Sequence, residues 1–378
     1  AWLFVAAIVF TFYFGFVQFR RIGLAIDIVR GKFSNPDTKE PGEVSHFQAL
    51  TTALSGTVGL GNIAGVGVAL SIGGAGATFW MIVCGLFGMA SKFTECTLGV
   101  KYRNENADGT VSGGPMYYLS KAFKEKGHAK TGKILAVGFA IMTIFAAFGA
   151  GNMFQGNQAN AMIVQTFGLA PGYGWITGII FAILLAGVII GGMPSIGSVT
   201  SKLVPFMATL YVGMAVIVLV SHYDQIGAAF EQIFIGAFTG AGVAGGFIGA
   251  LIQGLKRATF SNEAGVGSAA IAHSAVKTKE PITEGFVSLL EPFIDTVVIC
   301  TMTALVIIIS GMNTGALSGV TLTAAAFTET SFIFEYFLAL AVVMFAFSTM
   351  VSWSYYGLKA WTYLFGEGAT TELVYKGI

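Results

Sequence analysis

The chain has 378 residues, of which 55% are hydrophobic and only 10% charged, and its formal net charge is +1. A water-soluble domain carries about 25% charged residues, so this composition excludes one; 33 phenylalanines are more than a soluble surface could hide. In such a chain the net charge says little about partners, and no nucleic-acid partner is expected; Cys84, Cys96 and Cys300 lack CxxC spacing and sit in apolar runs, as small core residues do.

A helix that crosses a bilayer needs about 20 mostly apolar residues. Nine segments meet that test, at 1–19, 46–72, 76–100, 134–166, 174–192, 197–221, 241–272, 284–310 and 333–364. The chain opens without Met inside an apolar run, which places its true start upstream. Between the third and fourth segments a polar stretch contains a short amphipathic helix, Met116 to Lys126. Between the eighth and ninth, "GMNTGALSGVTLTAAAFTET" reads as an ordered external loop. All 20 Lys and Arg fall near or after the ends of the first, third, seventh and ninth segments or at the start of the sixth. With alternating helices they share one side, which the positive-inside rule makes cytoplasmic, with the visible N-terminus outside. The expectation is a multi-pass protein of the cell inner (plasma) membrane.

The second segment holds "GTVGLGNIAGVGVA", Gly56 to Ala69, with five glycines. A glycine inside a helix costs about 1 kcal/mol relative to alanine. Three readings compete. Gly59, Gly61 and Ala64 match a loose dinucleotide fingerprint, but that motif needs a preceding strand. Gly61 and Gly65 form a GxxxG packing pair. A discontinuous helix would expose backbone amides and carbonyls to a ligand in a cavity, and glycine permits close approach. Thr57 and Asn62 flank the run with a hydroxyl and an amide.

Four motifs, "HFQALTTALSGTVGLGNIAGV", "SGGPMYYL", "FGAGNMFQGNQAN" and "FSNEAGVGSAAIAH", resemble the alanine or glycine:cation symporter family in order and spacing. The resemblance spans residues 44–360 and implies an all-α integral membrane protein of leucine-transporter type within the APC superfamily. That fold has inverted five-helix repeats with discontinuous core helices 1 and 6. On this chain it implies one transporter domain over 1–378: an additional helix at 1–19, a first repeat at 46–221, and helices 6–8 at 241–364. The second repeat is then incomplete, with a C-terminal portion outside the sequence. Core helix 6 is expected to break among Gly242, Gly245, Gly246, Gly249 and Gly254, within 245–254.

The resemblance implies an amino-acid contact at Gln155 and an inner-gate role for Ser261, Asn262 and Glu263. Read alone, Glu263 is a helix-end acid that pairs with a nearby base, and His273 caps its segment or faces water. Ser348, Thr349 and Ser352 lie on neighbouring positions of one helix face. Hydroxyl oxygens suit sodium, and in this fold a sodium site lies between helix 1 and helix 8. The predicted sodium ligands are therefore Thr57, Leu60, Ser348, Thr349 and Ser352. The bland alternative is serine bonding back to its own helix. Trp353 is mid-helix and reads as a wall or lid. The predicted substrate set is Thr57, Gly59, Leu60, Gly61, Asn62, Gln155 and Trp353. It contains no charged side chain, which argues against a charged amino acid. Glu291 and Asp295, one turn apart around Pro292, read as a structural or gating pair, with a paired-carboxylate hydrolase or proton relay as sharper readings.

The expected function is secondary symport of a small neutral amino acid, alanine or glycine class, with sodium as coupling ion and no enzyme cofactor. The partners are the amino acid, sodium and the lipid bilayer. The alternatives are a proton-coupled or uncoupled transporter, or a channel, of the same fold. An intramembrane enzyme is disfavoured: HExxH and GxSxG are absent, and His46, His128, His222 and His273 are scattered along the chain.

Overall fold

A computed structural model describes residues 1–33, 40–106, 109–169, 172, 174–239, 246–312 and 317–378. The chain folds into a helical bundle whose helices are α1 (Trp2–Tyr13), α2 (Ile22–Val29), α3 (His46–Thr57), α4 (Val66–Gly73), α5 (Gly76–Lys101), α6 (Pro115–Glu125), α7 (Ala129–Phe167), α8 (Gly174–Ile189), α9 (Gly192–Ser221), α10 (Ile226–Thr239), α11 (Gly246–Asn262), α12 (Ala269–His273), α13 (Pro281–Ile309), α14 (Gly319–Thr330), α15 (Ile333–Phe365) and α16 (Ala369–Gly377). Among the described residues, five helices are long and apolar enough to cross a membrane. The pair His46–Thr57 and Gly61–Gly73, bent by 48°, makes a sixth span if counted as one.

Several predicted segments are cut differently from the sequence reading. The first ends at Tyr13, because Gly15 and Phe16 both take left-handed φ values of 58°. Residues 226–239, unassigned in sequence, form α10, and the predicted external loop carries α14, whose inner face is buried. The amphipathic helix at 116–126 is α6, started by Pro115, whose missing N–H costs nothing at a first helical position. The N-terminus of α3 is fixed by a capping box: Ser45 Oγ accepts from the Gln48 amide at 3.2 Å, and Gln48 Oε1 accepts from the Ser45 amide at 3.0 Å.

The outer surface shows large apolar side chains such as Phe145, Ile183, Phe206 and Val220, while Asn62, Glu284, Glu291 and Asp295 are fully buried. This is the arrangement expected when the surrounding solvent is hydrocarbon. At one end of the bundle the basic loops meet. Arg103 donates to the carbonyls of Ser274, Val276, Pro41 and Thr278 at 2.7–2.9 Å, beside a parallel bridge between Val44 and Val276. Lys121 donates to the Arg103 carbonyl, and Lys359 to the Val111 carbonyl of a two-stranded hairpin, Asn104–Glu105 with Val111–Ser112. Lys256 and Arg257 depart from this grouping. They lie inside α11, next to Gly254, which packs on Ala77 and Trp80 at the opposite end of α5 from Lys101.

Candidate functional site

Two helix breaks meet at the centre of the bundle. In the first, α3 ends at Thr57, Val58 turns away with ψ 84°, and a π-helical turn over Gly61–Gly65 restarts the helix. The opened backbone is held by side chains. The Gly59 amide donates to Asn62 Oδ1 at 2.9 Å, and the Leu60 amide donates to Gln155 Oε1 at 3.3 Å. Neither Gly59 nor Gly61 takes a positive φ. Space is what limits both: a Cβ on Gly59 would collide with Thr349 Oγ1, and one on Gly61 would make a tight contact, 3.2 Å, with Ser261 Cα. Gly65 has no neighbouring helix against it, the nearest atom to its ideal Cβ being the Leu60 carbonyl at 3.9 Å, so Gly61 and Gly65 do not form a GxxxG interface.

The second break lies outside the predicted range. Of that range Gly245, like Gly242 before it, lies outside the described residues. The helix α11 runs unbroken from Gly246 through Gly249 and Gly254 to Asn262, since Gly254 serves close packing on α5. The interruption is at 263–268, where Glu263, Gly265 and Gly267 have φ of 55°, 82° and 94°, before α12 resumes.

Between the breaks is a cavity of about 340 Å³ lined by Thr57, Gly59, Gly61, Gln155, Glu263, Thr349 and Trp353, together with Lys256, Arg257, Thr259, Phe260 and Val266. The predicted substrate residues thus separate. Thr57, Gly59, Gly61, Gln155 and Trp353 line the cavity, whereas Leu60 and Asn62 are buried behind it. Asn62 Nδ2 is held by Asp295, at 2.7 Å to Oδ1 and 3.0 Å to its carbonyl. Asp295 Oδ2 also accepts from Ser261 Oγ at 2.8 Å and Thr296 Oγ1 at 2.6 Å, so one carboxylate ties both breaks to α13. Asn262 bonds Thr296 Oγ1 at 2.9 Å and caps the Ala264 amide. Of the predicted gate, only Glu263 reaches the cavity; among the described residues it pairs with no base, and accepts instead from Trp353 Nε1 at 3.0 Å and from Ser268 Oγ.

The three hydroxyls of α15 also separate. Ser348 Oγ bonds back to the Phe345 carbonyl at 3.0 Å, as the bland alternative has it. Ser352 Oγ crosses to α3, donating to the Thr52 carbonyl at 2.7 Å and meeting Ser55 Oγ. Among the described residues Thr349 Oγ1 is buried with no hydrogen-bond partner, and it faces Gly59. A larger cavity of about 550 Å³, between Glu43, Met193, Lys359 and Glu372, touches neither break.

The sequence profile of the sodium:alanine symporter family matches residues 1–378. The chain belongs to this family. The sodium/alanine symporter AgcS of Methanococcus maripaludis is 44% identical over 361 residues, 94% of this chain and 78% of AgcS. The probable sodium/glutamine symporter GlnT of Bacillus subtilis is 33% identical over 356 residues, 93% of this chain and 71% of GlnT. Among solved structures, MhsT in complex with L-phenylalanine superimposes with a TM-score of 0.60 at 16% identity, covering 90% of this chain and 79% of MhsT. A manganese transporter mutant from Eremococcus coleocola gives 0.57 at 14%, covering 91% of this chain and 72% of that one. The fold is therefore of leucine-transporter type, and this family member is a multi-pass membrane transporter, not an enzyme.

Sequence reasoning missed three features of this transporter. The site is not free of charge: Lys256 and Arg257, which the sequence reading groups at the cytoplasmic end of the seventh segment, lie on the cavity wall. Their signal was present: two long basic side chains within an apolar, glycine-spaced run. The second break was sought in the wrong glycines, although "NEAGVG" carries its own. Asp295 was paired with Glu291, but the π-helical turn Phe293–Cys300 separates them, and Glu291 joins Lys92 and His273 instead.

Proposed function

We propose that this chain carries a small neutral amino acid of the alanine or glycine class together with sodium across the cytoplasmic membrane, the N-terminus outside and the basic loops inside. The observation that carries this reading is Thr349: a buried hydroxyl without a partner, pressed on a glycine at the end of a broken helix. An unsatisfied buried hydroxyl costs about 1–3 kcal/mol, and a cation held there with nearby backbone carbonyls would offset it. Helix C-termini carry partial negative charge, and the last turns of α3, at Thr57, and of α11, at Thr259 and Phe260, line the same cavity. Such a place favours sodium and the ammonium group of an amino acid.

On this reading sodium is bound by Thr349 with the carbonyls of Thr57 and Leu60. Ser348 and Ser352 donate to backbone carbonyls and keep oxygen lone pairs with which to complete the ligand set. Gly59, Gly61, Gln155 and Trp353 contact the amino acid. Asn62 and Leu60 shape the break, and Glu263 with Trp353 forms the gate. Residues 1–19 then precede a first repeat over 46–221, with 241–364 belonging to the second. The relatives AgcS and GlnT, named for symport of alanine and of glutamine with sodium, support a neutral amino acid with sodium. One sodium crossing 100 mV releases about 2.3 kcal/mol, and a tenfold gradient adds about 1.4 kcal/mol, enough for accumulation of about several hundredfold.

Uptake of labelled alanine into proteoliposomes, with and without an inward sodium gradient and competed by glycine, glutamine and aspartate, tests the reading. Accumulation that needs sodium and yields to glycine is expected. Uptake unaffected by sodium would reject sodium coupling, and competition by aspartate alone would reject the substrate class.

A further inference from the structure

The four histidines are not scattered in space: two of them meet on one carboxylate. His46 Nδ1 bonds Glu284 Oε1, and His273 Nδ1 bonds Glu284 Oε2. His273 Nε2 lies 2.7 Å from Glu291 Oε1, and Lys92 Nζ lies 3.1 Å from Glu291 Oε2 and 3.6 Å from Glu95. His273, Glu284, Glu291 and Lys92 have no exposed side-chain surface, while His46 retains 15%. None of these groups lines the cavity between the breaks.

Counting protons makes the arrangement informative. A neutral imidazole has one N–H and one lone pair. His273 presents both nitrogens to carboxylate oxygens, and two such bonds need two protons. The Glu284–His273–Glu291 triad therefore holds one proton more than a neutral ring between two carboxylates, either on the ring or on an acid. Without it a nitrogen lone pair would face a carboxylate in a dry interior, where an unmet acceptor costs most. The surroundings of the triad are mixed in charge. Lys92, Glu95 and Cys96 face it from α5, His46 from α3, and Arg103 acts on Glu284 from the loop after α5. Glu263 also acts electrostatically on Lys92, and Glu291 on Tyr356. Cys96 lies within 4.8 Å of His273 and Glu291, but both ring nitrogens are already bonded, which leaves no imidazole ligand for a metal ion.

The bonds cross a boundary between parts of the molecule. His46 begins α3, and His273 ends the five-residue α12, the short segments that flank the two breaks. Their partners sit on the long helices α5 and α13. We infer that the Glu284–His273–Glu291 triad is a proton-binding site, filled while α3 and α12 rest on α5 and α13 and emptied when they part, with His46 as its connection to water. The proton comes from water and returns to it, so no other reactant is consumed. Because the closed form holds the proton, low pH favours closure and rising pH favours opening. This rests on the alternating-access part of the proposed function, but not on sodium or the amino acid.

The test omits both ligands. Spin labels at Phe47→Cys, beside His46, and Lys101→Cys, at the end of α5, report the distance between the two parts; the native cysteines are buried and do not label. The ratio of the longer to the shorter distance should rise with pH, by up to about tenfold per unit for one linked proton. Glu284→Gln offers an amide N–H to His273 Nδ1, so a neutral ring is satisfied without the extra proton, and it should flatten that dependence. A parent ratio that does not move with pH overturns the proposal, as does a variant whose ratio moves as the parent's does. If Glu284→Gln does not fold, Glu291→Gln, which offers an amide N–H to His273 Nε2, is read by the same criterion, and the parent titration stands by itself. Loss of symport with this pH dependence intact would instead count against the proposed function alone.

Discussion

The two helix breaks use glycine for opposite reasons. At the first, Gly59 and Gly61 have ordinary negative φ, and what matters is the missing Cβ, whose place is taken by Thr349 and Ser261. At the second, Gly265 and Gly267 occupy φ values that an L side chain rarely adopts, and Glu263 joins them with φ 55°. The first break is built to let something come close, the second to let the chain turn. A change of side chain should therefore strike binding at one and folding at the other.

The largest effect is expected at Gly59→Ala. The new methyl would overlap Thr349 Oγ1, and we expect sodium-dependent alanine binding to weaken by more than about tenfold, or 1.4 kcal/mol, with the fold retained. Titration of alanine at saturating sodium checks this. At the other break, Gly267→Ala would place a methyl 2.5 Å from Pro115 Cγ at a φ of 94°. A left-handed L residue costs about 1–2 kcal/mol and overpacking about 1–3 kcal/mol. Thermal unfolding in detergent should show the loss, and binding in the folded fraction should be retained. A Gly267→Ala protein that melts normally but cannot bind would erase the contrast.

Thr349→Val sharpens the comparison from the opposite wall. The substitution keeps the shape and removes a hydroxyl that has no protein partner, so the melting temperature should hold or rise. The sodium concentration for half-maximal uptake should increase severalfold. A mutant with lower stability and unchanged sodium dependence would assign the hydroxyl to packing.

Much of the fold was legible because its signals are local and strong. Apolar runs mark α5, α7, α9, α13 and α15, and a proline and a capping box mark the starts of α6 and α3. The first break was legible because glycines in an apolar run are costly and need a reason. Other features were not, because they depend on what the chain meets in space. Nothing in the spacing of Ser348, Thr349 and Ser352 says that the first bonds its own helix, the third crosses to α3, and only the middle one is left over. Nor does a gap of 227 positions between His46 and His273 reveal a shared carboxylate at Glu284. Asp295 could be flagged as an intramembrane acid, yet its bonds to Asn62 and Ser261 come from two other helices.

The central claim is that the first break exists for close approach, and the most direct measurement pairs Gly61→Ala with Gly65→Ala. Alanine affinity by calorimetry and melting temperature would be recorded for both. Gly61 abuts Ser261 in the cavity wall, whereas the ideal Cβ of Gly65 meets nothing nearer than 3.9 Å. We expect Gly61→Ala to lose affinity while it stays folded. Gly65→Ala should bind as the parent does, with stability unchanged or raised by up to about 1 kcal/mol from the better helix former. Lower stability in both, with alanine affinity intact in the folded protein, would mean that these glycines serve helix packing and would contradict the account.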